Sequence, residues 1–373
     1  MEELAELERL VSGDPEQMLG VAALQMFVSI MQENFSMGLV KEKETIDWLG
    51  QAPNSPHAAA ALWFLGVNAR WRGNHRKAVE IFEALLPMVE DKEGIERAAR
   101  TLTHYCMALV EQGQNQHAIS LMESLLDKGE KAGSIYSILR LTNTLGWAYQ
   151  EIFNLDKAFE HNNQALTYAV ELRGPRHDLL REIESFARLN LADIHLFQGN
   201  LDEAEEMLEI TYQNANEPAY ALARPRWKPR CLIALGELSL NRGNIKECER
   251  YLAELDSHGL TDLFPFTKIQ VRAGHLKGAL LKAKGEPEEA ETELNLALRR
   301  AIGLDMPGVI WRSHRTLADF YGAENQDKKS RSHYRKALKV VQEIAGTLTE
   351  PKMKEQFLES KPILELTENA KGS

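Results

Sequence analysis

Residues 145–166 read LGWAYQEIFNLDKAFEHNNQAL: a Leu145-Gly146 pair, an aromatic three residues later at Tyr149, a break at Phe153-Asn154, and a second amphipathic stretch centred on Ala158. The pattern recurs along the chain. Around Ala78 it reads RGNHRKAVEIFEALL, around Ala118 QGQNQHAISLMESLL, around Ala204 QGNLDEAEEMLEITY, around Cys248 RGNIKECERYLAEL, around Ala290 KGEPEEAETELNLAL and around Ser330 AENQDKKSRSHYRKAL. The seven anchors are all small and lie 40, 40, 46, 44, 42 and 40 residues apart. A period of this length marks a repeat architecture, in which each unit buries its apolar face against its neighbours.

Each unit reads as two helices. Five residues before the anchors stand Gly73, Gly113, Phe153, Gly199, Gly243, Gly285 and Asn325, where one helix ends and the next begins. Twelve residues before them stand Gly66, Cys106, Gly146, Ala192, Gly236, Gly278 and Ala318, again all small. Two facing columns of small residues are what closely crossing backbones require, so Cys106 and Cys248 read as packing residues. Pairs such as Phe82 with Leu85, Met122 with Leu125 and Leu252 with Leu255 supply the apolar stripe of the second helix, with Asn162 and Thr211 as exceptions. No alternating strand pattern with turn signals is present, so the fold class is all-α.

Composition narrows the function classes. The net charge of −11 favours solubility and disfavours a partner held mainly by phosphate contacts. Three cysteines without C-x-x-C spacing suit a reducing compartment and support neither a disulfide framework nor a zinc site. The acidic first twenty residues lack the pattern of a secretory signal, and the longest apolar stretches are too short to span a membrane. The expectation is a cytoplasmic protein without a membrane partner.

The Leu-Gly pair, the following aromatic, the turn glycine and the alanine-centred second helix resemble the tetratricopeptide repeat family, over roughly Pro56 to Ala345. The resemblance implies a right-handed α-solenoid of about seven to eight helix pairs. The period of about forty residues exceeds the family's usual thirty-four and resembles the long repeats of maltose-activator-type regulators, kinesin light chain, and the sensor arrays of signal-transduction ATPases and cyclases. On this reading residues 1–55 form an N-terminal helical cap or degenerate repeat, 56–345 hold seven repeats, and 346–373 form a closing helix and tail. The segment TLTEPKMKEQFLESKPILELTE resembles the closing helix that follows such arrays in bacterial multidomain signalling proteins. Its simpler reading is a cap started by Glu350-Pro351, with Phe357, Leu358 and Ile363 covering the last repeat. Asp14-Pro15-Glu16-Gln17 starts an early helix, and a second runs through Trp48-Leu49. Residues 1–55 contain neither a helix-turn-helix nor a P-loop, which places any effector domain outside this sequence or in another chain.

In this family the first helix of each pair is expected to line the concave surface. The positions 18, 15 and 11 before the anchors share the helix side opposite the core stripe. The first column reads Ala60, Arg100, Arg140, Phe186, Arg230, Arg272 and Arg312. Fewer than one basic residue is expected by chance in seven positions, since Lys and Arg together number 44 of 373. The neighbouring columns contribute Trp63, Asn143, His275 and Arg315, and then Trp147, with Asp193, Glu237 and Asp319 also in register. One reading is a groove whose guanidiniums hold carboxylates, phosphates or peptide carbonyls; the other is a ladder of ion pairs between repeats, and the two are compatible. The lysine and asparagine clamp with which one variant of the family grips C-terminal carboxylates is disfavoured, because the third column contains no asparagine.

A second basic cluster, Arg173, Arg176 and Arg181 followed by Arg224, Arg226, Trp227, Lys228 and Arg230, falls in the longer units, where Pro225 and Pro229 suggest an irregular, solvated loop; nucleic acid is a disfavoured partner. Nucleotide-binding and hydrolase motifs are absent from the sequence, and His177-Asp178, His75 and His117 read as solvated rather than metal-binding. The expectation is a non-catalytic interaction or sensor module of bacterial signalling or regulation, without cofactor or metal, that binds a peptide or protein segment. The alternatives are a receptor arm for a metabolite or sugar, and a scaffold or homo-oligomer using an exposed patch around Met18, Met26, Phe27, Ile30 and Met31.

Overall fold

The structure, a computed structural model, describes residues 2–31, 35–90, 94–172, 178–220, 224–257 and 267–371. Among these residues there are 19 α-helices and no strand. Three helices open the chain: α1 (Glu2–Leu10), α2 (Pro15–Met31) and α3 (Phe35–Gln51). Pairs follow: α4 (Ala58–Trp71) with α5 (His75–Glu90), α6 (Gly94–Glu111) with α7 (Asn115–Lys131), and α8 (Ile135–Glu151) with α9 (Leu155–Glu171). Next come α10 (Asp178–Gln198) with α11 (Leu201–Asn214), α12 (Arg224–Asn241) with α13 (Ile245–Ser257), α14 (Thr267–Ala283) with α15 (Pro287–Gly303), and α16 (Pro307–Ala323) with α17 (Asp327–Thr347). The chain closes with α18 (Pro351–Leu358) and α19 (Lys361–Lys371). The architecture is an α-solenoid of stacked helix pairs.

The turn column adopts one geometry throughout. Gly73, Gly113, Gly199, Gly243 and Gly285 have φ between 75° and 80°, and Phe153 and Asn325 adopt φ 57° at the same register. In the first turn the Asn74 amide donates back to the Ala69 carbonyl and the Gly73 amide to Arg70, the bonding of a helix-ending left-handed residue. The next helix starts at once, with Asn154 Oδ1, for example, accepting from the Lys157 amide at 3.3 Å.

Within a pair the small columns meet. The anchors Ala78, Ala118, Ala158, Ala204, Cys248 and Ala290 are fully buried. A Cβ on Gly66 would stand 2.8 Å from the buried Phe82 ring, and one on Gly278 would collide with Leu294 of its partner helix. The three cysteines are free and buried; burial pushes the thiols up, Cys106 to about 12 and Cys248 to about 11.

The array curls until its last pair touches its second and third. Thr347 Oγ1 donates to the Gly113 carbonyl at 2.8 Å, and Gln116 Oε1 accepts from the amides of Thr349 and Glu350 at 2.6 and 2.8 Å. Asn154 Nδ2 donates to Gln356 Oε1 at 3.1 Å. Phe153 meets Phe197, Trp311 and Phe357 with ring centroids 5.6, 5.9 and 6.3 Å apart. Phe357 is fully buried and Ile363 nearly so, in the same core cluster as the helices of the first three pairs. The sequence suggested one closing helix; there are two, parted at Glu359-Ser360.

At the other end, Asp14 Oδ1 caps α2 by accepting from the Glu16 amide at 3.0 Å. Met18 and Met26 are buried, and Leu19 and Ala23 pack on Ala58 and Ala61 of α4. The expected exposed methionine patch is therefore absent at these two positions, while Phe27 is half-exposed and the side chains of Ile30 and Met31 lie outside those described.

Gly66→Ala is expected to cost about 1–3 kcal/mol through overpacking against Phe82. Gly50→Ala, in α3 with open space around it, is expected to be neutral or to gain up to about 1 kcal/mol. Urea unfolding midpoints of the two variants provide the comparison.

Candidate functional site

The first helices of successive pairs, α4 through α16, pack side by side, so the faces turned away from their partner helices form one continuous inner wall. Two cavities lie on it and share Trp147, Arg230, Lys268 and Ile269. The narrower encloses about 150 Å³ and the wider about 580 Å³. Trp71, Met107, Trp147, Ile183, Phe186 and Ile269 supply apolar wall to the narrower one.

Its charged floor is organised around shared carboxylates. Glu111, 4% exposed, accepts from Arg70 Nε at 2.9 Å and Nη2 at 3.0 Å and from Lys268 Nζ at 2.7 Å, and His75 Nδ1 lies 3.0 Å from it. Burial opposes its ionisation, yet the Arg70 and Lys268 charges outweigh burial and hold the carboxyl well below the usual range. Lys268 is 157 residues away in sequence, so this buried group joins α4, α6 and α14 across the interior. Glu182 accepts from Arg226 at 2.9 and 3.1 Å, while Arg140 Nη2 stands off at 3.6 Å. Asp193 accepts from Arg230 at 2.6 Å and Arg272 at 2.8 Å, and Arg272 also donates to Glu237 Oε1 at 2.8 Å.

Asn162, one of the two polar exceptions in the second-helix stripe, is fully buried. Its Oδ1 accepts from Asn143 Nδ2 at 3.2 Å and Asn190 Nδ2 at 2.8 Å, and its Nδ2 donates to the Ala158 carbonyl at 2.7 Å. Gly146 leaves the space for this side chain. The network turns Asn143 and Asn190 toward the cavity and leaves Asn190 Oδ1 buried without a partner. Arg140 Nε and His104 Nδ1 are likewise buried and unpaired. Burial, reinforced by the charges of Arg70, Arg140, Arg226 and Arg100, pushes His104 well below the usual imidazole range, so it is neutral.

In the wider cavity Arg312 donates to Glu151 at 2.7 Å, a second tie across the array, and its guanidinium lies 5.0 Å from the Trp311 ring. His275 Nε2 lies 2.9 Å from Ser313 Oγ, and burial together with Arg272 brings its ring down to about 4. Among the described residues, no group of three or more His, Cys, Asp or Glu is placed to hold a metal ion, and no helix is long and apolar enough to cross a membrane.

Residues 185–209 match the family profile described as tetratricopeptide repeat. This is a tetratricopeptide-repeat fold. No curated protein sequence matches the chain. Among solved structures, the Rap conjugation gene regulator of plasmid pLS20 in complex with the Phr* peptide is similar, with a TM-score of 0.62 and 13% identity over 92% of this chain and 98% of that one. A Rap protein complexed with Competence and Sporulation Factor gives 0.56 and 14%, over 93% of this chain and 100% of that one. A signal transduction ATPase with numerous domains and a tetratricopeptide repeat sensor, from Pyrococcus horikoshii, gives 0.50 and 14%, over 95% of this chain and 54% of that one.

On this tetratricopeptide-repeat scaffold, Arg140, Asn143, Trp147 and Arg230 come together in the narrower cavity, and Trp147, Arg230, Arg272, His275 and Arg312 in the wider one. Arg315 faces the closing helix, donating to Glu365 at 2.7 Å. Arg100 lies over the Trp63 ring at 4.2 Å, and neither residue lines these cavities.

Two sequence expectations are corrected. Residues 224–230 are the first turns of α12 rather than a solvated loop: Trp227 is fully buried, Arg226 pairs with Glu182, and Lys228 pairs with Glu254 at 2.8 Å. His75 is 5% exposed and borders Glu111, because the curl of the array covers the start of α5; His117 is exposed. Arg181 sits on α10 with its guanidinium 5.9 Å from the Tyr220 ring, whereas Arg173, Arg176 and His177 lie outside the described residues. The sequence reading missed Glu111, Glu151, Glu182, Arg226 and Lys268 as site residues. All five lie on the same helical stripe extended one turn either way, 22 and 7 residues before the anchors.

Asp193 gives a pH prediction. Burial alone would raise its carboxyl, but Arg272 and Arg230 outweigh burial and hold it at about 2, against an ordinary 3.8. A depressed folded-state value contributes stability that is present above about pH 4 and lost as pH falls toward about 2. Asp193→Asn is expected to lose about 2 kcal/mol at neutral pH and to unfold with a shallower acid limb over that window, as measured by chemical denaturation at stepped pH.

Proposed function

We propose that this chain is a regulatory interaction module that binds an extended peptide or protein segment along the joined concave cavities and conveys their occupancy to an effector in bacterial signalling. The observation that carries the reading is the pairing of an aromatic wall with buried, unpaired polar atoms. Arg140 Nε offers a donor and Asn190 Oδ1 an acceptor, beside Trp71, Trp147 and Phe186. A peptide chain brings both complementary groups at every unit and side chains to bury between them. A ligand that completes the hydrogen bonds of these groups gains their energy. The two Rap structures, each in complex with its named factor or peptide, support the reading through their shared fold.

The test is selection of displayed random heptapeptides on the full chain, followed by calorimetry of the peptides recovered. Trp147→Ala removes the ring common to both cavities, and a loss of tenfold or more, about 1.4 kcal/mol, is expected without a matching change in melting temperature. Peptides that bind the variant unchanged would place their site elsewhere and overturn the reading. Recovery of no peptide would turn attention to small ligands, for which the narrower cavity is large enough.

A further inference from the structure

The three inner carboxylates Glu111, Glu182 and Asp193 each serve two cations. The sharing at Glu182 is unequal. Arg226 donates to the carboxylate from both terminal nitrogens, while Arg140 makes only a long ion pair with it, Nη2 at 3.6 Å, and its Nε is buried and unpaired. The Arg140 side chain is 15% exposed, and its guanidinium lies 5.3 Å from the Tyr136 ring. A buried guanidinium donor without an acceptor is costly, and the weak hold of Glu182 leaves Arg140 able to take a second carboxylate.

The surroundings point the same way. The narrower cavity is lined by Arg70, Arg140, Arg226, Arg230 and Lys268 against only Glu111 and Glu182, in a chain whose net charge is −11. His104 on the same wall is 8% exposed, and its Nδ1 has no partner. The positive field is therefore local to the cavity and not cancelled by the residues that line it.

We infer that the Arg140 end of the narrower cavity is a carboxylate subsite, and that the peptide bound there presents an acidic group to it, from an Asp or Glu side chain or from its C-terminus. The inference rests on the peptide-binding reading above and adds the ligand's charge. A carboxylate matches the planar fork of an arginine better than any neutral acceptor, and it supplies the negative charge that Glu182 spends on Arg226.

The experiment takes the selected heptapeptides and prepares each with its acidic side chains replaced by amides, and separately with an amidated C-terminus. Binding is measured to the wild type, Arg140→Gln and Arg140→Lys by calorimetry, with circular dichroism and melting temperature recorded for each variant. One carboxylate is expected to matter: its removal weakens binding to wild type at least tenfold but binding to Arg140→Gln less than twofold, with Arg140→Lys in between. Which replacement produces the loss distinguishes a side chain from the C-terminus. Neutral peptides that bind wild type as tightly as acidic ones, or a loss of equal size on Arg140→Gln, would overturn the subsite while leaving the peptide reading intact. If no peptide is recovered, that reading fails, and glutarate titrated into the full chain decides the subsite alone. Saturable binding abolished by Arg140→Gln supports it, and no binding overturns it.

Discussion

The close crossing of the two helices in each pair is the constraint on which the rest of the molecule depends. Only Gly, Ala, Cys or Ser occupies the facing positions, and at Gly66 and Gly278 even a methyl group would collide with a buried side chain of the partner helix. That contact sets how each first helix leans against its partner, and so which of its faces is turned inward. The inner wall follows from the repetition of this angle, and its chemistry follows from the residues on the remaining face.

The repeated parts of the structure were legible in the sequence because local geometry writes them in register. The turn column is left-handed at all seven positions, including Phe153 and Asn325, where no glycine signals it. The arginine column likewise emerged from periodicity alone, and four of its five arginines line the two cavities. Contacts across the array are different in kind. Nothing in the spacing of Glu111 and Lys268, or of Asn154 and Gln356, says that they meet, because the total curl is the sum of many small rotations. The same blindness explains His75, which looks like a turn residue until the far side of the array is placed over it. Trp227 misled for another reason: two nearby prolines suggested a loop, whereas Pro229 is carried within α12.

The inner arginines are structural first, and the proposed function asks some of them to bind as well. Arg230 and Arg272 are bound to Asp193, Arg312 to Glu151, and these pairs link neighbouring or distant first helices. Their partly buried geometry makes each pair costly to break from one side, which fixes the wall rather than leaving it to adapt. Arg140 is held more loosely, with Glu182 at 3.6 Å, and its Nε, like Asn190 Oδ1 and His104 Nδ1, is buried without a partner. On the proposed peptide-binding reading, a rigid rim with a few unsatisfied groups inside it would be preorganised, since little ordering would remain when the ligand arrives.

An open solenoid gains or loses units with little penalty, because each repeat touches only its neighbours. Here Gln116 and Asn154, near the starts of α7 and α9, grip the backbone and side chain of the segment around α18, and Phe153 inserts among rings contributed by α10, α16 and α18. The array thus meets itself at a fixed count. Inserting or deleting a unit between these points would carry the closing segment past its seat, so the number of repeats is locked by geometry while the sequence of each remains free to drift. The molecule behaves less like a spring of variable length than like a bracelet whose clasp fits at one link only.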